Sequence, residues 1–311
     1  MDMYQKREMR KNKKTDENTK SLPSTSINWY PGHMAKTKRL IKENINLIDI
    51  IYEVIDSRVP YSSKINDLEE LISNKPKILI FTKYDLCDKN ETDKFIDAYE
   101  KKGYCVIKYD LSREIDASKI LDLSNEILKE KLDNIRQKGI NKTTIRALVV
   151  GVPNAGKSTL INKIVGRKTA ITGNKPGVTK NLNWIRVGKN IELLDSPGIL
   201  WPKLEQEKEA YNLASTTAIK EDILPKEEIA IYIIKFLHKY YPDVLESYYG
   251  VTDISDFYEV YEVIGKRRGF IMRGGVIDDD RVTDLIINDI KQGRIKGITF
   301  DRIEDYELWW L

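Results

Sequence analysis

Residues 151–158 read GVPNAGKS, directly after the apolar run IRALVV and directly before a stretch of helical character. Glycines at the first and sixth positions let backbone amides turn inward around an anion. A lysine at the seventh reaches polyphosphate oxygens, and the hydroxyl beside it is placed to bind a divalent cation. In that chemistry Asn154, Ala155, Gly156, Lys157, Ser158 and Thr159 surround the phosphates, with Lys157 on the β- and γ-oxygens and Ser158 on magnesium. A chance loop is the alternative, and the strand before and helix after argue against it.

A phosphate loop does not distinguish ATP from GTP. Residues 82–85, TKYD, end the apolar run KILIF and resemble the guanine-specificity motif of GTPases. There Asp85 would accept hydrogen bonds from the ring N1 and exocyclic amine of guanine, donors that adenine does not present together. The stem of Lys83 would lie along the base. GTPases mostly carry Asn at the first position, so Thr82 is a departure expected to weaken the tie between base loop and phosphate loop. Taken alone, TKYD also reads as a charged turn after a strand. Two further turns follow the phosphate loop in order. PGVT (176–179) offers Thr179 to a magnesium shell, and DSPG (195–198) offers Asp195, acting through water, with the Gly198 amide near a γ-phosphate.

These residues need a scaffold of strands that end on one edge. The runs DIIYEVID from Asp49, KILIFT from Lys77, YCVIKY from Tyr104 and IRALVV from Ile145 are short, β-branched and apolar, as buried strands are. Amphipathic stretches at Lys36–Leu47 and Glu91–Lys101 lie between them, the alternation that builds a parallel sheet with helices on its faces. NLNWIRV and NIELLD flank Gly188 and Lys189 and predict a hairpin ending at Asp195. The stretch 121–144 is charged and helical in character. Beyond about residue 204 the spacing is helical, with Pro225 and Pro242 as boundary markers. The expected fold is an α/β GTPase domain, a mostly parallel sheet with helices on both faces, over 28–203. A small helical domain follows over 204–311, and a basic arm over 1–27 precedes it.

At 311 residues two cores are the expectation. No apolar run approaches the eighteen or so residues that cross a bilayer, so a cytoplasmic chain with no membrane contact is expected. Cys87 and Cys105 have no metal-like or redox-like spacing and read as ordinary thiols. The net charge of +4 is modest, but KREMRKNKKTDENTK (6–20) is basic and poor in apolar residues. It has too little to bury to offset ordering, and serves solubility or contacts nucleic acid.

In an ordinary GTPase the guanine motif comes last, whereas here TKYD precedes GVPNAGKS. The cyclic order is kept, as in a circular permutation, which leaves the site intact because domain termini lie close together. The second switch then runs through Ile199 to Pro202 into the C-terminal helices, so γ-phosphate occupancy could reposition them. Ile199 stands where many GTPases place a water-orienting Gln and has no polar atom for that task. The only histidines are His33, beside a Pro-Gly turn, and His238, within the helical run IAIYIIKFLHKYY. A lone histidine is more often structural than catalytic; His238 reads as an ordinary helix residue.

WYPGHMAK at Trp29, DSRVP at Asp56, TKYD, GVPNAGKST, PGVTK and DSPG, in this order, closely resemble the ribosome biogenesis GTPase A family of bacteria and mitochondria. The resemblance runs from about Asn28 to the C terminus, with Ser57 where the family usually has Ala. It implies a GTPase that binds the immature large ribosomal subunit, promotes late assembly and hydrolyses GTP as a timer for release. It also implies His33 as the catalytic residue, and potassium as an activator held near Asn154 beside GTP or GDP and magnesium. A helical C-terminal domain would contact ribosomal RNA, with Lys266, Arg267, Arg268, Lys291, Arg294 and Lys296 at that surface. Binding by those residues would be salt-sensitive. A monomer is expected. The rival is a nucleotide-dependent switch acting on another RNA, such as transfer RNA.

Overall fold

The computed structural model describes residues 32–65, 72, 75–139, 144–166, 182–188, 190–198, 207–216 and 224–306, with the side chains of 32–35 outside that description. Its centre is a six-stranded sheet. The strands are β1 (Ile50–Asp56), β2 (Lys77–Thr82), β3 (Cys105–Lys108), β4 (Ile145–Gly151), β5 (Asn183–Val187) and β6 (Ile191–Asp195), in the order β3-β2-β1-β4-β6-β5. All neighbours are parallel except β5, which pairs antiparallel with β6 through the expected hairpin at Gly188.

β1 is buried along its whole length, which explains its mostly apolar character. Its side chains alternate between faces. Ile50, Tyr52 and Val54 pack with Ile120 of α3 (Ser118–Ile127) and Leu160 of α5 (Lys157–Val165). Ile51 packs with Ile41 of α1 (Gly32–Asn44), and Ile55 with Phe95 and Tyr99 of α2 (Lys89–Lys101). Helices therefore cover both faces. The charged stretch after α3 forms α4 (Lys129–Gln137), which buries no residue.

The chain runs outward from β1 to β2 and β3, then crosses back to place β4 on the other side of β1. That reversal is a topological switch point, where α/β sheets bind ligands at the carboxyl ends of their strands. Register puts Thr82 beside Asp56, Gly151 beside Val54 and Asp195 beside Val149, so four strand ends open on one edge.

The C-terminal part is helical: α6 (Glu207–Ser215), α7 (Lys226–Tyr240), α8 (Pro242–Tyr249), α9 (Phe257–Arg268) and α10 (Asp279–Lys291). Pro225 is the N-cap of α7 and Pro242 the first residue of α8, positions where a missing N–H costs nothing. α7 packs against α6, α8 and α10. After α10 the chain leaves the helices and returns to the sheet side, where Gly297 N donates to Leu86 O at 2.8 Å and Phe300 N to Arg58 O at 2.8 Å. The expected boundary at 203/204 lies outside the described residues.

Candidate nucleotide site

Between β4 and α5 the loop 151–156 turns so that the first turn of α5 faces the switch point. Gly156 adopts φ +100° just before the helix, and Asn154 takes a left-handed φ of +59° that its short amide tolerates. Lys157 is buried, and its ammonium donates to Gly151 O at 3.0 Å and Val152 O at 2.9 Å. Burial pushes the Lys157 pKa down to about 8, against the pull of Asp195. Ser158 and Thr159 are half-buried in the first turn of α5, whose dipole favours an anion.

Asp195 ends β6 and is 2% exposed. Burial raises its pKa to about 6, with the Lys157 charge opposing. Its Oδ1 is buried with no hydrogen-bond partner among the described residues. An unsatisfied buried carboxylate oxygen is costly, and a cation shared with a phosphate removes the cost. Among the described residues no three acidic, histidine or cysteine side chains cluster as a metal cage. One carboxylate with adjacent hydroxyls is the donor set of a magnesium that also uses phosphate oxygens, so Asp195 and Ser158 fit that ion. Ser196 donates to Val149 O at 2.7 Å and pins the turn after Asp195. A Cβ on Gly198 would lie 2.7 Å from Pro153 Cα, so only glycine allows this approach to the phosphate loop.

The guanine motif sits on the same edge. The Thr82 hydroxyl lies 2.5 Å from Ala155 O and 3.1 Å from Ile55 O. The weakened tie expected from Thr at this position is therefore corrected, because the hydroxyl reaches the phosphate-loop carbonyl directly. A second tie comes from Lys83, whose ammonium donates to Asn154 O at 2.7 Å and to Asp56 Oδ2 at 2.7 Å. Burial lowers the Lys83 pKa and Asp56 works against that shift. The Asp85 pKa is raised, first by burial and further by the neighbouring Asp110, while Lys296 acts in the opposite sense.

The structure thus brings Thr82, Lys83, Asn154, Ala155, Gly156, Lys157, Asp195 and Gly198 to one edge. Thr179 and Ile199 lie outside the described residues. His33 falls in the first turn of α1, and its side chain is likewise outside them. The basic candidates divide into two groups. Lys266, Arg267 and Arg268 form the last turn of α9, where they bond Glu262, Ser247 O and Tyr248 O respectively. Lys291, Arg294 and Lys296 follow along the end of α10; Arg294 is paired with buried Asp289 at 2.9 Å, and Lys296 stands near Asp85.

Two residues beside the site carry more than the sequence assigned them. Asp56 and Arg58 belong to DSRVP, which sequence reading used only as a family mark. Asp56 is buried at the end of β1 and binds both Arg58 and Lys83. Burial works to raise its pKa, but those two cations outweigh it and hold the carboxyl well below the usual range. The available signal was position, since Asp56 and Arg58 stand at the end of a mostly apolar strand, the ligand edge of a parallel sheet.

A phosphate loop, an Asp-ended switch strand and a TKxD loop on one edge, with the guanine motif first in the chain, define a circularly permuted P-loop GTPase, a GTP hydrolase. Residues 146–249 match the family model described as 50S ribosome-binding GTPase, a match that begins at β4 and therefore does not reach TKYD. The chain is 44% identical over 89% of its length to ribosome biogenesis GTPase A of Priestia megaterium, covering 96% of that protein. It is 30% identical over 90% of its length to the Thermotoga maritima protein of that name, covering 95% of it. The structure of GNP-bound YlqF from T. maritima superposes with a TM-score of 0.57 at 25% identity, over 86% of this chain and 98% of that one. A GDP-bound YlqF gives 0.59 at the same identity, over 86% and 100%. The chain belongs to the ribosome biogenesis GTPase A family.

Proposed function

We propose that this GTPase binds the immature large ribosomal subunit in its GTP form, promotes a late assembly step, and uses hydrolysis as the timer for release. The observation that carries the reading is the path from the phosphate end to the C-terminal helices. Asp195 and Gly198 precede α6 in the chain, and Asn212 of α6 donates to buried Asp301 at 2.8 Å. Asp301 also accepts from the backbone N–H groups of Tyr61 and Ser62, both at 2.8 Å, beyond β1. A change at Asp195 on loss of the γ-phosphate would pass along the chain to α6, whose bond to Asp301 ties it to the segment after β1.

In hydrolysis, water attacks the γ-phosphorus while the bond to the β–γ bridging oxygen breaks. Lys157 offsets charge on the β- and γ-oxygens, and the loop amides of 154–159 hold the phosphates in line. His33, at the start of α1, takes the water-orienting role that Ile199 lacks. The Ser158 and Thr179 hydroxyls, with Asp195 through water, would hold magnesium, which would supply further charge neutralisation to the phosphates. Potassium near Asn154 would act in the same sense. Lys266, Arg267, Arg268, Lys291, Arg294 and Lys296 face ribosomal RNA. Among the described residues no helix is long and apolar enough to cross a membrane. The protein is assigned to the cytoplasm as a monomer.

The test is GTP turnover with and without purified large subunits. The expected results are acceleration by the subunit, loss of that acceleration by about 10² or more in His33→Ala, and co-sedimentation with immature particles in a non-hydrolysable GTP analogue. Unchanged turnover in both comparisons, or pelleting with transfer RNA in place of the particle, rejects the reading.

A further inference from the structure

The guanine end of the site is built partly by the C-terminal domain. Arg58 is almost fully buried, and its Nε and Nη2 donate to Asp56 Oδ1 and Oδ2 at 3.0 and 2.8 Å, a two-pronged pairing. Its remaining prong, Nη1, donates at 2.7 Å to the carbonyl of Ile290 in the last turn of α10, the negative end of that helix. Asp56 in turn holds Lys83, and Lys83 holds Asn154 O. An unbroken line of charge-assisted bonds thus joins α10 to the guanine motif and the phosphate loop.

The same loop is gripped from a second point. The Thr299 hydroxyl accepts from Asp88 N at 3.0 Å and lies 2.8 Å from the Thr92 hydroxyl, while Gly297 N bonds Leu86 O. The guanine loop 83–88 therefore lies between its own sheet and the returning segment after α10.

We propose that Arg58 is a positioning residue for guanine recognition, through which docking of the C-terminal helices sets nucleotide affinity at the base end. Arg58 is buried and its guanidinium is directed at Asp56 and the Ile290 carbonyl, so it acts through Asp56. It fixes Asp56, Asp56 fixes the ammonium of Lys83, and the Lys83 stem is then held where the base packs. Because this line does not involve the γ-phosphate, it changes GDP and GTP affinity alike. A partner that draws the end of α10 away from Arg58 would speed release of either nucleotide, a route separate from the second switch. The inference rests on the GTPase assignment and not on which particle the protein binds.

The test uses the full chain and fluorescent GDP and non-hydrolysable GTP analogues. Arg58→Lys keeps a cation beside Asp56 but cannot bond both carboxylate oxygens and the Ile290 carbonyl together. The expected result is a rise of about tenfold in both dissociation constants, carried by faster dissociation. The GTP-to-GDP ratio and kcat at saturating GTP should stay within about twofold, so the effect falls on KM. Competition by inorganic triphosphate, which occupies the phosphate loop alone and meets the line only at Asn154 O, should weaken far less than nucleotide binding. Thr299→Val cuts the second grip without touching Arg58 and should raise both constants about threefold. In a Lys83→Met background, Arg58→Lys should add less than about twofold, because the line is already broken. Unaltered GDP affinity in Arg58→Lys and Thr299→Val overturns the proposal. So does an equal loss of triphosphate binding, or a full additional effect in the Lys83→Met background.

Discussion

The guanine end and the phosphate end of this site are built on opposite principles. At the guanine end polar groups are matched by the chain itself. Thr82 reaches Ala155 O, Lys83 bridges Asp56 and Asn154 O, and Arg58 closes the line to α10. At the phosphate end the charges are buried and poorly matched. Among the described residues Lys157 is bonded to two carbonyls of its own loop and Asp195 Oδ1 has no hydrogen-bond partner, and burial drags both pKa values toward neutrality. The difference fits the part of a nucleotide that each end is proposed to serve. A base is recognised by shape and by a few neutral donors, so its receptor must be rigid beforehand. Phosphates and a divalent cation bring large charges, so their receptor holds groups in a costly environment that the ligand relieves.

The largest expected effect tests the guanine end. Asp85→Asn exchanges a carboxylate that accepts two hydrogen bonds for an amide that presents one acceptor and a donor. GTP affinity should fall by about 10² to 10⁴, while ATP affinity, measured by competition, stays as weak as before. If ATP already competes as well as GTP in the parent protein, the loop does not read guanine.

The next effect tests the phosphate end through pH. Asp195 has a folded-state pKa of about 6 against an ordinary value of 3.8. The folded chain therefore keeps a proton that the unfolded chain has released. The resulting stability is present below about pH 4 and is lost as pH rises through about 6. Above that window the ionised carboxylate costs on the order of 3 kcal/mol. Asp195→Asn should therefore stabilise the nucleotide-free protein at pH 7.5 in urea titrations, with the gain vanishing near pH 4, while magnesium-dependent tightening of GDP is lost. A variant that is no more stable than its parent at pH 7.5 would show that the carboxylate is not strained.

The smallest effect sharpens the boundary between the two ends. Thr82→Val leaves Ala155 O without the hydroxyl and should cost about 1 kcal/mol of stability, with a few-fold loss of affinity for GDP. Thr82→Asn, the residue more usual in GTPases, should restore affinity if the tie is the point of this position. If the valine variant binds as the parent does, the phosphate loop is held by Lys83 alone.

Much of this was readable along the chain. Runs such as IIYEVID and IRALVV are β-branched and mostly apolar, as strands buried on both faces are, and GVPNAGKS, TKYD and DSPG each sit where such a run stops. The sequence also marked Pro225 and Pro242 as boundaries, and both stand at helix starts. Other features were misjudged or missed. Thr82 was expected to be a weak joint because its consequence depends on where Ala155 O lies. Arg58 was legible only as part of a motif, since its partner Ile290 is 232 positions away. Asp301 resembles any surface aspartate in sequence, yet it is fully buried and accepts from the backbone of Tyr61 and Ser62 and from Asn212.

The order and types of residues by themselves determined the nucleotide chemistry, the permuted connectivity and the strands that carry them. These depend on local backbone preference and on groups a few positions apart. Tertiary structure alone decided that the C-terminal helices close on the guanine loop, and that Asp56, Arg58 and Asp301 join the two parts. Such bonds exist only where distant segments are brought within about 3 Å in a space that excludes water. No property of the individual residues specifies that meeting in advance.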